Sequence, residues 1–186
     1  MTLDPRIEQR LIQLLDERDI SDVLHRYCRG ADRCDRELMA SCFHDDAIDD
    51  HGNWIRSGRQ VPEHVVTAIL PGSARAMHFL GNLRIEVEGD TAFTESYLLA
   101  FRAFERDGRA YTRTRALRFV DRLTRRNGEW RIAERVAVDD WNRIDEVDEP
   151  MPEGAHFRYS AKDRSDPVYA MRRGRVAREP GVDSKA

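Results

Sequence analysis

The chain has 186 residues, of which 40% are hydrophobic and 35% are charged, a composition typical of one globular domain. Its formal net charge of −3 and the scattering of its basic residues argue against a nucleic-acid partner. No apolar run approaches the ~18 residues of a membrane span, and the N-terminus lacks the regions of a signal peptide, so we expect a cytoplasmic protein without a membrane partner.

A long amphipathic helix is predicted over residues 5–31. Apolar residues recur there at steps of three and four: Ile7, Leu11, Leu14, Leu15, Ile20, Val23, Leu24 and Tyr27. A cap at Asp19 to Ser21 would permit two helices in place of one. Gly30 is predicted to end the helix, which leaves Asp32 just past a C-terminus whose dipole disfavours a carboxylate. Asp32 is therefore either a solvated loop residue or one that needs a hydrogen-bonding partner.

A short helix over Arg36 to Phe43 and a short strand over Ala47 to His51 follow. The strand period of two places Asp49 and His51 on one face, so a carboxylate and an imidazole share a side. The alternative is a turn rich in acidic residues. Because no HxH or HExxH spacing joins these two residues to His78, we expect no metal site.

A β-hairpin over Ala76 to Phe101 is the central predicted feature, and a helix over Pro62 to Leu70 precedes it. Apolar and polar residues alternate along its first strand, and Glu88-Gly89-Asp90 forms the turn. His78 stands at the start of this strand among apolar neighbours. It is therefore either a buried imidazole or a proton acceptor.

A second long hairpin is predicted from an arginine-rich strand over Arg109 to Thr124, a turn at Asn127-Gly128 and a strand over Glu129 to Asp139. Strict alternation gives one face of the last strand the residues Trp130, Ile132, Glu134 and Val136. Arg135 lies on the other face and need not be on the outer surface.

We divide the chain into a folded domain over residues 1–145 and a polar C-terminal extension over residues 146–186, which is either partly ordered or covers a neighbouring subunit. The cysteines Cys28, Cys34 and Cys42 lack the spacing of a zinc ribbon or a disulfide framework, so we expect reduced thiols. No dinucleotide-binding or phosphate-binding motif occurs, and we expect no cofactor.

The order of elements predicts an α+β fold in which a cone-shaped, curved antiparallel or mixed sheet wraps around helices. Several segments then form a recognisable pattern: Tyr27 to Asp32, His44 to Ala47, Met77 to Asn82, Phe119 to Arg122, Asn127 to Trp130, and Arg135. Their order and spacing resemble the SnoaL-like branch of the nuclear-transport-factor-2-like superfamily of α+β barrels. This branch includes scytalone dehydratase, hexachlorocyclohexane dehydrochlorinase and bile acid 7α-dehydratase.

The resemblance implies four catalytic residues. His78 is the base, and Asp32 orients it and stabilises the imidazolium without accepting the proton. Tyr27 and Arg135 line the same cavity. Tyr27 would donate a hydrogen bond to developing negative charge, and Arg135 would hold a leaving oxygen, a carboxylate or the charge of Asp32.

This chain departs from the pattern on the inner face of the first strand. His51 stands where bile acid 7α-dehydratase has a tyrosine, and Asp49 precedes it by two positions. These residues make the cavity more polar and supply a second candidate acid, so we assign both to substrate binding. Tyr97 is expected either to face the same space or to be a core aromatic.

The resemblance implies a cofactor-independent lyase. It would act on a small hydrophobic cyclic or aromatic substrate and eliminate water, halide or a small carbonyl fragment such as formaldehyde. The alternative within enzymes is an isomerase or polyketide-type cyclase that uses the same base. The alternative of another class is a ligand-binding or assembly subunit, such as the small subunit of a ring-hydroxylating dioxygenase. The family also implies a homotrimer or homodimer.

Overall fold

The computed structural model describes residues 4–148 and 158–172. Helices α1 (Pro5–Asp32) and α2 (Arg36–Ala40) come first, followed by strands β1 (Phe43–Asp50) and β2 (Ile55–Ser57). Helix α3 (Val61–His64) continues as one turn of π-helix over Val65–Ile69. Two hairpins follow, β3 (Arg75–Glu88) with β4 (Thr91–Arg106), and β5 (Arg109–Arg126) with β6 (Glu129–Glu146). Helix α4 (Pro167–Arg172) completes the described elements.

The six strands form one curved sheet in the order β2-β1-β6-β5-β4-β3, and the sheet does not close on itself. Strands β1 and β6 are parallel, and every other neighbouring pair is antiparallel. Helix α1 packs against β3 and β6, so helix and sheet enclose a common hydrophobic core. The predicted α+β fold with a curved, mixed sheet is confirmed.

Helix α1 runs without a break, so the single-helix alternative is the correct one. Asp4 caps it by accepting a hydrogen bond from the backbone N–H of Arg6 at 2.8 Å. The first three turns expose their apolar side chains, which belong to Ile7, Leu11, Ile12, Leu14 and Leu15. The buried apolar stripe begins only at Ile20. Asp32 is the last residue of the helix, not the first one beyond it.

Helix α2 is shorter than predicted, because it ends at Ala40 and Phe43 opens β1. The prediction that Gly30 ends α1 is wrong, because the helix continues to Asp32. A Cβ atom at Gly30 would lie 2.7 Å from Cγ of Met39, so the missing side chain lets α2 approach α1. The chain reverses instead at Cys34, which has a φ of +52°.

Strand β1 has the predicted alternation. Asp49 is fully buried and His51, just past the strand, is 8% exposed, whereas Ile48 is 53% exposed. Asp49 and His51 therefore do share the inner side of the sheet. The alternative of an acidic turn is wrong.

Strand β6 departs from strict alternation at two places, Ala133 and Asp140, and the first of them affects Arg135. The register with β5 shifts around Ala133, which is the mark of a β-bulge. Trp130, Ile132 and Arg135 consequently all lie on the buried face. The prediction that Trp130 and Ile132 lie on the face opposite to Arg135 is wrong, because one extra residue reverses the side on which the next residues of the strand fall.

Residues 149–157 and 173–186 of the predicted extension lie outside the described residues. Its described part packs on the same chain, where Asp166 forms an ion pair of 3.0 Å with Arg33 beside the end of α1. No described helix is long and apolar enough to cross a membrane.

Candidate active site

His78 and Asp32 meet where β3 begins beside the C-terminal end of α1. His78 Nδ1 lies 2.7 Å from Asp32 Oδ1, and the backbone N–H of His78 donates to Oδ2 at 3.0 Å. Because a carboxylate only accepts hydrogen bonds, Nδ1 carries the ring proton and Nε2 is left to accept one. Asp32 therefore has its hydrogen-bonding partner, and the imidazole is held in one tautomer and one orientation.

A cavity of about 500 Å³ opens beside this pair. His78 is part of its wall and Asp32 is not, so the carboxylate stands behind the imidazole as seen from the cavity. Tyr27 and His51 also line it. Apolar side chains complete much of the wall, including Ala31, Val65, Ile69, Leu70, Ala76 and Ala100. This volume and lining suit a small organic molecule.

A second aspartate and histidine lie at the same cavity. His51 Nδ1 is 2.8 Å from Asp49 Oδ1, but these atoms are not aligned for a hydrogen bond. Neither oxygen of Asp49 has a hydrogen-bond partner among the described residues. The His51 ring stacks on Trp54 with a centroid distance of 4.1 Å and an interplanar angle of 11°. His51 thus lines the cavity, whereas Asp49 is buried beneath it and is not part of the wall, so direct contact of Asp49 with a substrate is not supported.

Asp49 belongs to a buried polar row that crosses the sheet. The strand register pairs Asp49 with Arg135, Arg135 with Asp121, and Asp121 with Thr94. None of these four residues is more than 4% exposed. Nε and Nη2 of Arg135 each donate to the Asp121 carboxylate at 2.7 Å. The carboxylates of Asp121 and Asp49 thus flank one guanidinium group, and only Asp121 accepts hydrogen bonds from it.

Arg135 is part of this row and not of the cavity wall, so the prediction that it lines the cavity is wrong. Its Cζ lies 4.4 Å from the ring centroid of Tyr27 and 3.9 Å from that of Phe119. Burial lowers the pKa of Arg135, but the attraction of Asp121 outweighs it and raises the pKa overall. Arg135 is therefore a charged support beneath Tyr27, because its partner Asp121 holds it inside the protein.

Tyr27 reaches the cavity from α1 and is only 3% exposed. Burial raises the pKa of its hydroxyl group, and the nearby charge of Asp49 raises it further. The hydroxyl therefore stays protonated and remains a hydrogen-bond donor. Edge contacts with Phe43 and Phe119, at centroid distances of 5.6 Å and 5.8 Å, hold the ring.

Tyr97 lies on the other side of the sheet, so both alternatives for it are wrong. It is 47% exposed, and its ring lies beside Arg118 at 5.9 Å from Cζ. Its neighbours Ser96 and Leu98 are buried. Because side chains alternate along β4, their inward orientation turns Tyr97 outward.

Three arginines that were not predicted from the sequence also line the cavity, namely Arg102, Arg113 and Arg115. The alternation of β4 could have found Arg102, since it is in phase with the buried Leu98. Trp54 and Trp141 also line the cavity and were missed. The local sequence pattern does not predict either position. Trp54 comes after the end of β1, and Trp141 comes after a register shift in β6.

No group of three or more His, Cys, Asp or Glu side chains within the described ranges could hold a metal ion. The three cysteines are free, as predicted. Burial raises the pKa of Cys28 to about 12 and that of Cys42 to about 11. Neither residue therefore supplies a thiolate nucleophile near neutral pH.

The sequence profile of the SnoaL-like domain matches residues 13–136. The fold is similar to that of hexachlorocyclohexane dehydrochlorinase (LinA) type 2, with a TM-score of 0.70 and 19% identity over 78% of this chain and 99% of that one. For a candidate scytalone dehydratase from Novosphingobium aromaticivorans the TM-score is 0.63 and the identity 19%, over 78% and 97% of the two chains. A protein of unknown function from Mycobacterium tuberculosis is 26% identical, with a TM-score of 0.59 over 72% and 75%. No curated protein sequence matches the chain significantly.

Proposed function

The chain belongs to the SnoaL-like domain family, and from this membership and the cavity geometry we propose that it is a cofactor-independent lyase with His78 as its base. The observation that supports this most is the contact of His78 with Asp32 beside an open cavity of about 500 Å³. One imidazole nitrogen is held by a carboxylate, and the other is left for a substrate. This is the arrangement that general-base catalysis needs.

In the proposed reaction, Nε2 of His78 removes a proton from a substrate carbon next to a carbonyl group or an aromatic ring. The electron pair of that C–H bond becomes a double bond, and the leaving group departs with its own bonding pair. Asp32 accepts the Nδ1–H hydrogen bond throughout, which strengthens as the ring becomes positive. It does not take the proton itself.

Tyr27 is proposed to stabilise the negative charge that develops on a carbonyl or phenolic oxygen of the substrate. Its hydroxyl group is protonated, and Tyr27 lines the cavity beside apolar residues such as Ala31 and Val65, where a hydrogen bond to an oxyanion is stronger than in water. Arg135 and the two phenylalanine rings fix the ring position. Arg135 is thus a positioning residue in this proposal.

His51 and Asp49 are proposed to act on the leaving group. His51 lines the cavity, and its Nδ1 lies 2.8 Å from Oδ1 of Asp49, which is buried beneath it. His51 is therefore suited to donate a proton to departing hydroxide or to the oxygen of a small carbonyl fragment.

An isomerase or cyclase is the second candidate, and the presence of two imidazoles in one cavity favours it. If His51 or His78 returns a proton to carbon, the product keeps all its atoms. The assembly-subunit alternative gains less support, because His78 faces an open space and not a filled core.

We also propose a homodimer or homotrimer in the cytoplasm, with the outer face of the sheet at the interface. Met77, Phe79 and Tyr97 are all more than 45% exposed on that face. Apolar side chains in such a group are usually covered by another protein surface. The division into a folded domain over residues 1–145 and a polar extension over residues 146–186, which is either partly ordered or covers a neighbouring subunit, stays a prediction.

The base can be tested with 5-nitrobenzisoxazole, a small bicyclic compound that opens to a coloured cyanonitrophenolate when one C–H proton is removed. We expect His78→Ala to lower kcat/KM by about 100-fold or more, the contribution of a positioned general base. His25→Ala is the matched control, since it removes an exposed imidazole of α1 that does not line the cavity. Equal rates for wild type and His78→Ala, or a wild-type rate no higher than that of buffer, would contradict the proposal.

A further inference from the structure

Positive charge is concentrated on one part of the cavity wall. Arg102, Arg113 and Arg115 line it, and Asp139 is the one carboxylate among the described lining residues. The whole chain has a net charge of −3, so this excess is a local feature. Arg115 is neutralised, because its Nε and Nη2 both donate to the carboxylate of Asp139.

Arg102 and Arg113 have only neutral partners. Neither forms an ion pair with any carboxylate of the described residues. Nε of Arg113 donates to the amide oxygen of Asn142 at 3.0 Å. Nε of Arg102 donates to Oγ of Ser73 at 2.8 Å, and its Nη2 donates to the carbonyl oxygen of Ile69. Two guanidinium groups without an ion pair among the described residues therefore line the cavity, although the charge of Arg113 also helps to lower the pKa of Asp139.

These two arginines stand directly opposite each other in the pairing of β4 with β5. Directly opposite residues have Cβ atoms roughly 4.5–5.5 Å apart, and like charges there destabilise the sheet. Burial lowers the pKa of Arg102, and the nearby charges of Arg113 and Arg115 lower it further. An anion between the two groups would remove this repulsion. Paired guanidinium groups also offer the parallel N–H donors that the oxygens of an oxyanion accept.

We propose that Arg102 and Arg113 form an oxyanion subsite of the cavity, so that the substrate is an apolar ring system bearing a carboxylate, sulfonate or phosphate. This inference rests on the proposed function, because it names the class of molecule that the His78 site takes. The apolar wall, which includes Val65 and Leu70, receives the ring. The subsite holds the charged end, which fixes the ring relative to the base.

Binding measurements test the subsite without any turnover. The probes are 2-naphthoate, 2-naphthalenesulfonate and 2-naphthyl phosphate, with neutral 2-naphthamide as the reference, and isothermal titration calorimetry gives their affinities. We expect at least one anion to bind about tenfold or more tightly than the amide, the gain from one hydrogen bond to a charged group. This preference should shrink with added NaCl. The anion that binds most tightly identifies the oxyanion.

Substitutions show which residues cause the preference for anions over the amide. Arg113→Gln should reduce the ratio of anion to amide affinity by about tenfold and leave amide binding unchanged. Arg102→Lys retains the positive charge and should keep part of the preference. Arg84→Gln is the matched control, because this exposed arginine of β3 pairs with Glu86 away from the cavity.

Failure of the oxyanion subsite can be distinguished from failure of the catalytic proposal. His78→Ala should keep the anion preference even when it abolishes proton abstraction, so the two proposals can fail independently. Equal affinities for the three anions and the amide in the wild type would overturn the oxyanion subsite. An unchanged preference in Arg113→Gln would overturn it as well.

Discussion

The two Asp–His pairs of this chain contain the same chemical groups in different surroundings. Asp32 ends a helix, is 8% exposed, and accepts hydrogen bonds from Nδ1 and from the backbone N–H of His78. Asp49 is fully buried, and its oxygens have no hydrogen-bond partner among the described residues. It lies instead beside Arg135, whose charge Asp121 already engages.

The difference teaches that surroundings, not residue type, separate the two proposed roles. Asp32 is aligned with Nδ1 of His78 and fixes the tautomer that leaves Nε2 free to accept a proton. Asp49 is not aligned with Nδ1 of His51 and lies instead in a row of buried charged groups. Pairs of titratable groups whose environments differ in this way are typical of acid–base sites.

The largest effect is expected when the guanidinium beneath the second pair is removed. Arg135→Ala leaves the carboxylates of Asp121 and Asp49 buried without a cation, and we expect a loss of about 3–5 kcal/mol in the free energy of unfolding. Urea denaturation measures it. Arg122→Ala is the control, since its exposed ion pair with Glu134 should contribute less than about 1 kcal/mol. If both variants unfold at the same urea concentration, the buried row does not distinguish the two pairs.

The next largest difference is expected between the same substitution, Asp to Asn, at Asp32 and at Asp49. Asp32→Asn removes a charged hydrogen-bond partner of the imidazolium, so kcat/KM for 5-nitrobenzisoxazole should fall roughly 10- to 100-fold with little change in Tm. Asp49→Asn should keep that rate within about threefold and should not lower Tm, because one carboxylate then matches one guanidinium. Equal rate losses in the two variants would erase the distinction between the pairs.

A smaller effect is expected for His51→Ala with the same probe. The cyanonitrophenolate leaving group is stable as an anion and needs no proton donor. The rate should therefore stay within about threefold of the wild type, in contrast to His78→Ala. A tenfold loss would instead make His51 a second base. With a substrate whose leaving group must be protonated, such as hydroxide, the rate should depend on His51.

The smallest effect is the contribution of His44 and His64, two histidines outside both pairs, to the pH dependence of stability. Burial lowers the pKa of His44 and that of His64. The unfolded chain then takes up protons at higher pH than the folded chain. The stability from these groups is therefore complete above about pH 6.5, the ordinary imidazole pKa, and falls as the pH drops below it. Urea denaturation at pH 7.5 and pH 5 should show a steeper loss in the wild type than in His44→Gln.

A flat stability profile between those pH values would contradict the His44 prediction. The same profile also sharpens the comparison of the two pairs. Any fall in activity on acidification that exceeds the fall in folded protein can be assigned to protonation of the base.

Several features could be predicted because they depend on residues close together in the chain. The alternation of β1 places Asp49 and His51 on the buried side, and the start of β3 places His78 at the wall. The end of α1 leaves Asp32 in need of a hydrogen-bond donor. Each of these statements needs only the helix or strand period and the nature of an element's end.

Other features could not be predicted because they depend on register and curvature. The bulge at Ala133 reverses the sides of β6, and no local pattern announces it. Tyr97 faces outward because of the side on which α1 packs, which the alternation of β4 alone leaves undecided. The meeting of Arg102 with Arg113 requires the exact offset of two long strands.

The sequence by itself determined the long first helix, the inward side of the first strand and the two hairpins, since these follow from contacts a few positions apart. Only the tertiary structure decided which groups meet. In the folded protein Asp32 contacts His78, Arg135 forms a buried ion pair with Asp121 and does not line the cavity, and Arg102 lies directly opposite Arg113. The physical reason is that strand pairing and helix packing bring distant parts of the chain together, and the surroundings created there determine how each side chain is charged and hydrogen-bonded.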